Sequence, residues 1–142
     1  MLFFCGHSLG GALATIASAH FAHILEPEIK VCCHTFGAPR VGNRAFSKHM
    51  NKLIGPQDHW RVYHERDPVC FIPMSFRFCH VRDTGLCLEH DTCKMKQTRY
   101  DVAWFLRPVD MMLRWQCIHP FGPHDMDAYL EKMDTIIQFL KI

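Results

Sequence analysis

The chain has 142 residues, of which 49% are hydrophobic, and a formal net charge of +2 at pH 7. This length corresponds to a single domain, and the composition is that of a globular protein. So small a net charge does not argue for binding to nucleic acid or to an anionic membrane.

A short strand and a glycine-rich turn begin the chain. Apolar residues predict a buried strand over Met1–Cys5, and an alanine-rich segment predicts a helix from Leu9 to about Ile24. Between them lies Gly6-His7-Ser8-Leu9-Gly10-Gly11. A Gly-x-Ser-x-Gly pentapeptide between a strand and a helix is typical of a nucleophile elbow, so Ser8 is the candidate nucleophile.

The geometry of such an elbow explains these residue types. The turn is tight enough to strain the serine backbone, and the positions two before and two after it must be nearly free of side chain, as Gly6 and Gly10 are. The first N–H groups of a helix have no intrahelical partner. The N–H of Leu9 is therefore placed to stabilise an oxyanion.

A secretory signal peptide is the alternative interpretation of the same segment. Residues 1–25 contain no Lys, Arg, Asp or Glu, and Ala17-Ser18-Ala19 resembles a cleavage site. However, a basic n-region is missing, and glycines and histidines interrupt the apolar run. The elbow is therefore favoured over a signal peptide, and no transmembrane segment is predicted.

The following elements alternate between strand and helix. Strands are predicted over Ile29–Phe36 and His59–Glu65, with a helix between them that Asn43 caps and that extends to about Ile54. Together with the first strand and helix, this order favours a parallel sheet with right-handed crossovers.

The second half of the chain is less regular. Arg77–Val81 and Leu86–Glu89 are predicted as a hairpin around Asp83-Thr84-Gly85. A C-terminal helix is predicted, whose apolar face packs on the core. That face carries Met126, Tyr129, Leu130, Met133, Ile136, Ile137 and Leu140. Core packing is also preferred to an acyl-binding or interfacial surface for Trp104, Phe105, Leu106, Met111, Met112 and Trp115.

Eight cysteines are many for a cytosolic protein of this size and favour an oxidising compartment. Cys32 and Cys33 are adjacent in a predicted strand and are interpreted as small apolar residues. Disulfide candidates are Cys79, Cys87, Cys93 and Cys117. A zinc site with the nearby His80 and His90 is a weaker alternative, because the spacing is not that of standard zinc ligands.

A nucleophilic serine needs a base, and the base needs an orienting acid. Where a nucleophile elbow lies on a parallel sheet, the chain order is Ser, then Asp or Glu, then His. Asp67 ends the predicted third strand and is the candidate acid, with Glu65 as its rival. His124 precedes the last helix and is the candidate base, with His119 as the alternative.

Four blocks of this sequence, in order, resemble the class 3 (fungal-type) lipases. They are Gly6-His7-Ser8-Leu9-Gly10-Gly11-Ala12-Leu13-Ala14, Thr35-Phe36-Gly37-Ala38-Pro39-Arg40-Val41-Gly42-Asn43, Arg66-Asp67-Pro68-Val69-Cys70-Phe71-Ile72-Pro73 and His124-Asp125-Met126-Asp127-Ala128-Tyr129-Leu130. The resemblance implies an α/β-hydrolase fold and a catalytic triad of Ser8, Asp67 and His124. It also implies hydrolysis of lipid esters, acylglycerols above all, at a lipid–water interface, with no metal or organic cofactor.

The chain also departs from the family pattern. Cys70 stands where the family usually has Pro or Thr, and the strands, lid and second oxyanion donor that precede the elbow in the family do not precede it here. We therefore expect residues 1–142 to form a single, N-terminally truncated domain with a partial α/β-hydrolase fold, a mostly parallel sheet and flanking helices. A fragment that binds lipid or a partner without turnover is the alternative function, and the expected location of the full-length form is outside the cell or in the endomembrane lumen.

Overall fold

The computed structural model describes residues 1–25, 27–75, 77–81, 84–88, 95–99 and 122–140. His90, Cys93, His119 and the Met- and Trp-rich stretch 100–117 lie outside these ranges. The roles predicted for them from the sequence therefore stay predictions.

Within the described ranges, five strands and three α-helices are found. They are β1 (Leu2–His7), α1 (Leu9–Ile24), β2 (Val31–Phe36), α2 (Arg44–Leu53), β3 (His59–His64), β4 (Thr84–Leu88), β5 (Met95–Arg99) and α3 (Met126–Leu140). The strand–helix alternation predicted for the first half is confirmed. Asn43 caps α2 as predicted, because its side-chain oxygen accepts a 2.9 Å hydrogen bond from the Phe46 N–H.

The strands form one sheet in the order β1-β2-β3-β4-β5. The first four run parallel, and β5 is antiparallel to β4. The carboxyl ends of β1, β2 and β3 therefore meet at one edge, which is where the binding crevice of an open parallel sheet lies. Two bonds extend this edge past the strand ends: Ser8 N–H to Phe36 O and Gly37 N–H to Val62 O, both 2.9 Å.

The hairpin predicted around Asp83-Thr84-Gly85 is wrong. β4 forms its hairpin with β5, and it also pairs in parallel with β3. Tertiary pairing overrides the local turn signal, because Gly85 provides the space that the side chains of Arg61 and Tyr63 occupy in the neighbouring strand. A Cβ at this glycine would lie 2.8 Å from Nη2 of Arg61. Cys79, in the other predicted arm, makes an isolated bridge to Gly42.

The core lies on both faces of the sheet. α1 and α2 cover one face, and the buried residues there are Ala19, Val31, Cys33, Met50, Ile54 and Val81. α3 covers the other face near the carboxyl ends, where Tyr129 and Met133 pack on Val62 and Leu88. The apolar face predicted for α3 is thus buried in part, since Leu130 is 51% exposed.

No disulfide joins two of the six cysteines in the described residues. Cys32 and Cys33 are buried in β2, as expected of small apolar residues. Cys87 lies in β4, packed against Tyr63 and Cys70, rather than in a loop. In the described part of the chain, no helix is long and apolar enough to cross a bilayer.

Candidate active site

Ser8 lies in the turn between β1 and α1 with a strained backbone. Its φ is 56° and its ψ is −128°, a region that non-glycine residues rarely adopt. Ser8 is the N-cap residue of α1, but its side chain makes no capping hydrogen bond, and its Oγ lies 2.8 Å from Nε2 of His124 instead. The strain expected of a nucleophile elbow is therefore present at the predicted serine.

The glycines around Ser8 differ in what they contribute. A Cβ at Gly6 would lie 2.3 Å from the carbonyl carbon of Gly10, so strand and helix meet there without space for a side chain. A Cβ at Gly10 would meet no atom of the described residues within 4 Å, and the steric role predicted for this glycine is wrong. Gly11 has that role instead, because its Cβ would lie 2.7 Å from that of Ala38.

His124 joins Ser8 to Asp67 by hydrogen bonds. Its Nε2 lies 2.8 Å from the Ser8 Oγ, and its Nδ1 lies 2.9 and 3.0 Å from the two carboxylate oxygens of Asp67. A carboxylate only accepts, so Nδ1 carries the hydrogen and Nε2 is left to accept the serine proton. The structure thus brings together three residues that the sequence separates by as many as 116 positions.

Asp67 is fully buried, and three groups donate to its carboxylate. Besides His124, the Val69 N–H lies 2.8 Å from Oδ1 and the Tyr129 hydroxyl 2.6 Å from Oδ2. A buried charge is tolerated only when such donors replace its hydration. The turn after β3 therefore fixes the carboxylate in one orientation toward the imidazole.

Tyr129 is the site residue that the sequence assigned to the core alone. Its side chain is 1% exposed, and its hydroxyl accepts a 2.9 Å bond from the His64 N–H while donating to Asp67. Burial raises the pKa of the Tyr129 hydroxyl, and the negative charge of the nearby Asp67 carboxylate raises it further. It therefore keeps its proton for Asp67. A buried tyrosine five residues after the candidate base was the available signal, because a buried phenolic hydroxyl requires a partner.

Gly37 closes the space around this carboxylate. It has a φ of 57°, in the left-handed region that favours glycine. A Cβ there would lie 2.7 Å from Oδ2 of Asp67 and 2.9 Å from the Tyr129 hydroxyl. The glycine that follows β2 is thus required for the Asp67–Tyr129 bond to form.

His7 also contacts the base. Its ring stacks on that of His124 at 4.7 Å between centroids and 29° between planes. Its Nε2 lies 2.8 Å from the main-chain oxygen of His124. No role is predicted for His7 from the sequence, although the residue directly precedes Ser8 in the elbow.

Leu9 directly follows Ser8 and begins α1. Its N–H therefore lies at the positive end of the helix dipole. The N–H groups of Gly11 and Ala12 donate to the Ser8 carbonyl at 3.0 and 3.2 Å. Leu9 is the first residue of α1, so its N–H has no carbonyl within the helix to which it could donate. Its role as an oxyanion donor stays a prediction.

Of the two rival candidates, the structure describes the acid, Glu65, but not the base, His119. Glu65 lies just beyond β3, with its carboxylate 3.8 Å from Nε of Arg66, whereas Asp67 contacts the base. His119 is outside the described residues. Cys70 is fully buried, and this burial raises the pKa of its thiol well above the usual range, so it stays a protonated thiol beside the acid.

The described residues hold no cluster of His, Cys, Asp or Glu that could bind a metal ion. Of the residues in the zinc alternative, His80 instead uses its Nε2 to donate to the Cys70 carbonyl at 2.8 Å. His90 and Cys93 lie outside the described residues.

Comparisons with known proteins point to one family. The profile of the family described as "Lipase (class 3)" matches residues 1–77. A secreted mono- and diacylglycerol lipase of Fusarium solani is 40% identical over 68 residues, 48% of this chain and 19% of that protein. A triacylglycerol lipase of Nicotiana tabacum is 28% identical over 130 residues, 82% of this chain and 22% of that protein. The chain thus spans about a fifth of the length of these relatives.

Solved structures share the fold. Lipase II from Rhizopus niveus superposes with a TM-score of 0.55 at 28% identity, covering 75% of this chain and 42% of that one. The parallel sheet with flanking helices is therefore part of an α/β-hydrolase fold, as the resemblance implied.

Proposed function

The chain belongs to the class 3 lipase family, and we propose that it hydrolyses carboxylic esters of lipids through an acyl-enzyme. The observation that carries this proposal is the continuous hydrogen-bonded series from the Ser8 hydroxyl through His124 to Asp67. The distances of 2.8–3.0 Å along this series support the proposal, because nucleophilic catalysis by serine needs the base within hydrogen-bond reach of both the hydroxyl and the orienting acid.

In the first half of the reaction, Ser8 Oγ attacks the ester carbonyl carbon while its proton passes to Nε2 of His124. The buried Asp67 carboxylate stabilises the resulting imidazolium through Nδ1–H. The Leu9 N–H donates to the oxygen that becomes negative in the tetrahedral intermediate. Nε2–H then gives the proton to the leaving alkoxide, which departs as the alcohol and leaves an acyl group on Ser8.

The second half repeats these transfers with water. His124 removes a proton from water as the hydroxyl oxygen bonds to the acyl carbon, and the same proton returns to Ser8 Oγ as the carboxylic acid leaves. All protons are accounted for by the serine, the imidazole and water. The mechanism requires no metal ion or organic cofactor.

The substrate class follows from the relatives. The Fusarium solani protein is named for mono- and diacylglycerols and the Nicotiana tabacum protein for triacylglycerols. An acylglycerol presented at a lipid–water interface is therefore the proposed substrate of this chain. The secreted Fusarium relative supports a location outside the cell or in the endomembrane lumen.

The test compares the wild-type chain with Ser8→Ala and His124→Ala on a short-chain p-nitrophenyl ester and on emulsified triacylglycerol. Either substitution is expected to lower kcat by about 10⁴-fold or more. Leu13→Ala, on the exposed side of α1, is the control and should keep the wild-type kcat on the soluble ester. Turnover that survives Ser8→Ala would exclude the serine mechanism.

The alternative function is binding of lipid without turnover. It is favoured by the outer side of α1, which carries a row of exposed apolar side chains: Leu9, Leu13, Ile16 and Ile24 are 68%, 59%, 50% and 57% exposed. Under this alternative, Ser8→Ala binds phosphatidylcholine vesicles as the wild-type chain does, and the wild-type chain hydrolyses neither ester.

A further inference from the structure

His7 occupies a particular place at the site. It is the last residue of β1 and directly precedes Ser8. Its ring lies against the His124 ring, and it meets the Tyr129 ring edge-on at 5.6 Å and 68°. One side chain at the end of β1 thus touches both the candidate base and the tyrosine that donates to the candidate acid.

The first contact fixes the backbone of the base. A main-chain carbonyl only accepts hydrogen bonds, so the His7 Nε2 carries a hydrogen and donates it to the His124 oxygen over 2.8 Å. His124 ends a short 3₁₀ turn, Gly122–His124, at the entry to α3. The bond ties this turn directly to the strand that carries the nucleophile.

The second contact fixes the plane of the imidazole. His124 makes its hydrogen bonds to Ser8 and Asp67 through its two ring nitrogens, whose N–H and lone pair lie in the plane of the imidazole. These bonds therefore give only weak resistance when the ring tilts about the line that joins its two nitrogens. A stacked ring at 4.7 Å, within the usual range for aromatic pairs, opposes that tilt from one side.

We propose that His7 is a positioning residue for this hydrolase, which holds His124 in the orientation that accepts the Ser8 proton. The inference rests on the proposed function, because it assigns His124 the role of base. His7 acts through His124 and touches no reacting atom. Its two contacts have separate roles. The hydrogen bond fixes the backbone of His124, and the stacking contact orients the His124 ring.

Three substitutions separate these contacts from simple packing. His7→Gln keeps an N–H donor at about the same reach without the ring, His7→Phe keeps the ring without the donor, and His7→Ala removes both. His34→Ala is the matched control, since His34 is a half-buried histidine of the neighbouring strand whose ring contacts Phe3 instead of the site. Hydrolysis of p-nitrophenyl butyrate and thermal unfolding are measured for each chain.

We expect His7→Ala to lower kcat by about 10- to 100-fold with little change in KM, because a misplaced base slows the chemical step without altering substrate binding. His7→Gln and His7→Phe should each recover part of that loss, and His34→Ala should match the wild type. A purely structural role would lower Tm and the active fraction in all three variants without this partial rescue.

The proposal is overturned if His7→Ala keeps kcat within about threefold of wild type, or if neither Gln nor Phe improves on Ala. Ser8→Ala, run in parallel, separates this failure from that of the proposed function. If Ser8→Ala is inactive while His7→Ala turns over normally, only the positioning role of His7 fails. If Ser8→Ala stays active or the wild-type chain is inactive, the hydrolase mechanism itself fails, and the role of His7 fails with it.

Discussion

Replacing Gly37 by alanine places a methyl group at the most constrained point of the site. The left-handed backbone at φ 57° costs an alanine about 1–2 kcal/mol. The new Cβ would lie 2.7 Å from Asp67 Oδ2 and 2.9 Å from the Tyr129 hydroxyl, where ordinary contacts begin at 3.4 Å. Both oxygens must move by several tenths of an ångström, which lengthens the 2.6 Å bond between them.

Loss of a hydrogen bond to a charged group costs about 1.5–3 kcal/mol. Together with the backbone term, we expect Gly37→Ala to lower the free energy of unfolding by about 2.5–5 kcal/mol. It should also reduce kcat, because the displaced carboxylate no longer aligns the imidazole. Urea unfolding measures the first effect, and ester hydrolysis under conditions where the chain stays folded measures the second.

Gly10→Ala is the control for stability. Its Cβ would contact no described residue within 4 Å, and alanine is favoured over glycine in a helix by about 1 kcal/mol. This variant should therefore be as stable as the wild type or slightly more so. A Gly37→Ala chain with wild-type stability would refute the steric reasoning, as would a Gly10→Ala chain that unfolds as easily as Gly37→Ala.

Two further predictions concern buried polar groups. Tyr129→Phe removes one hydrogen-bond partner from the Asp67 carboxylate and one from the His64 N–H. It should therefore lower the free energy of unfolding, measured in urea, by about 2–4 kcal/mol. An unchanged urea midpoint would contradict the hydrogen bonds assigned to this hydroxyl. Burial, followed by the charge of Arg61, lowers the pKa of His80 well below the ordinary 6.5. As the pH falls below about 6.5, His80 therefore takes up a proton in the unfolded chain but not in the folded chain. The free energy of unfolding that is present above this pH is lost progressively in acid. Between pH 7.5 and 5.5, His80 should lower the free energy of unfolding by about 1 kcal/mol. His80→Gln keeps a donor to the Cys70 carbonyl and should abolish this loss. An equal loss in the wild-type and variant chains would contradict the role of His80.

Much of the sheet could be predicted because the sequence patterns that indicate its strands and helices each span only a few neighbouring residues. Apolar runs, Asn43 as an N-cap and the alternation of strands and helices are properties of a few neighbouring residues. The hairpin prediction failed because Thr84 and Gly85 follow a turn-like pattern locally but lie in a central strand. That placement depends on β3, whose Arg61 and Tyr63 occupy the space beside Gly85.

The candidate site could be predicted where a residue type is required by chemistry. A serine in an elbow, an acid after a strand and a histidine before the last helix follow from the order of a parallel sheet. Tyr129 and His7 could not be assigned in this way, because their contacts depend on how α3 lies across the carboxyl ends of the strands. The same reason explains why Gly11 rather than Gly10 is in close contact: only the packed helix shows which glycine faces Ala38.

The central claim is that Ser8 is a nucleophile activated by His124, and covalent labelling tests it most directly. The chain is incubated with a fluorophosphonate, digested and examined by mass spectrometry, with His124→Ala treated in the same way. We predict a phosphonyl adduct on the peptide that carries Ser8 in the wild-type chain, and labelling slower by orders of magnitude in the variant. An unlabelled Ser8, an adduct on another residue, or equal labelling rates in the two chains would contradict the account.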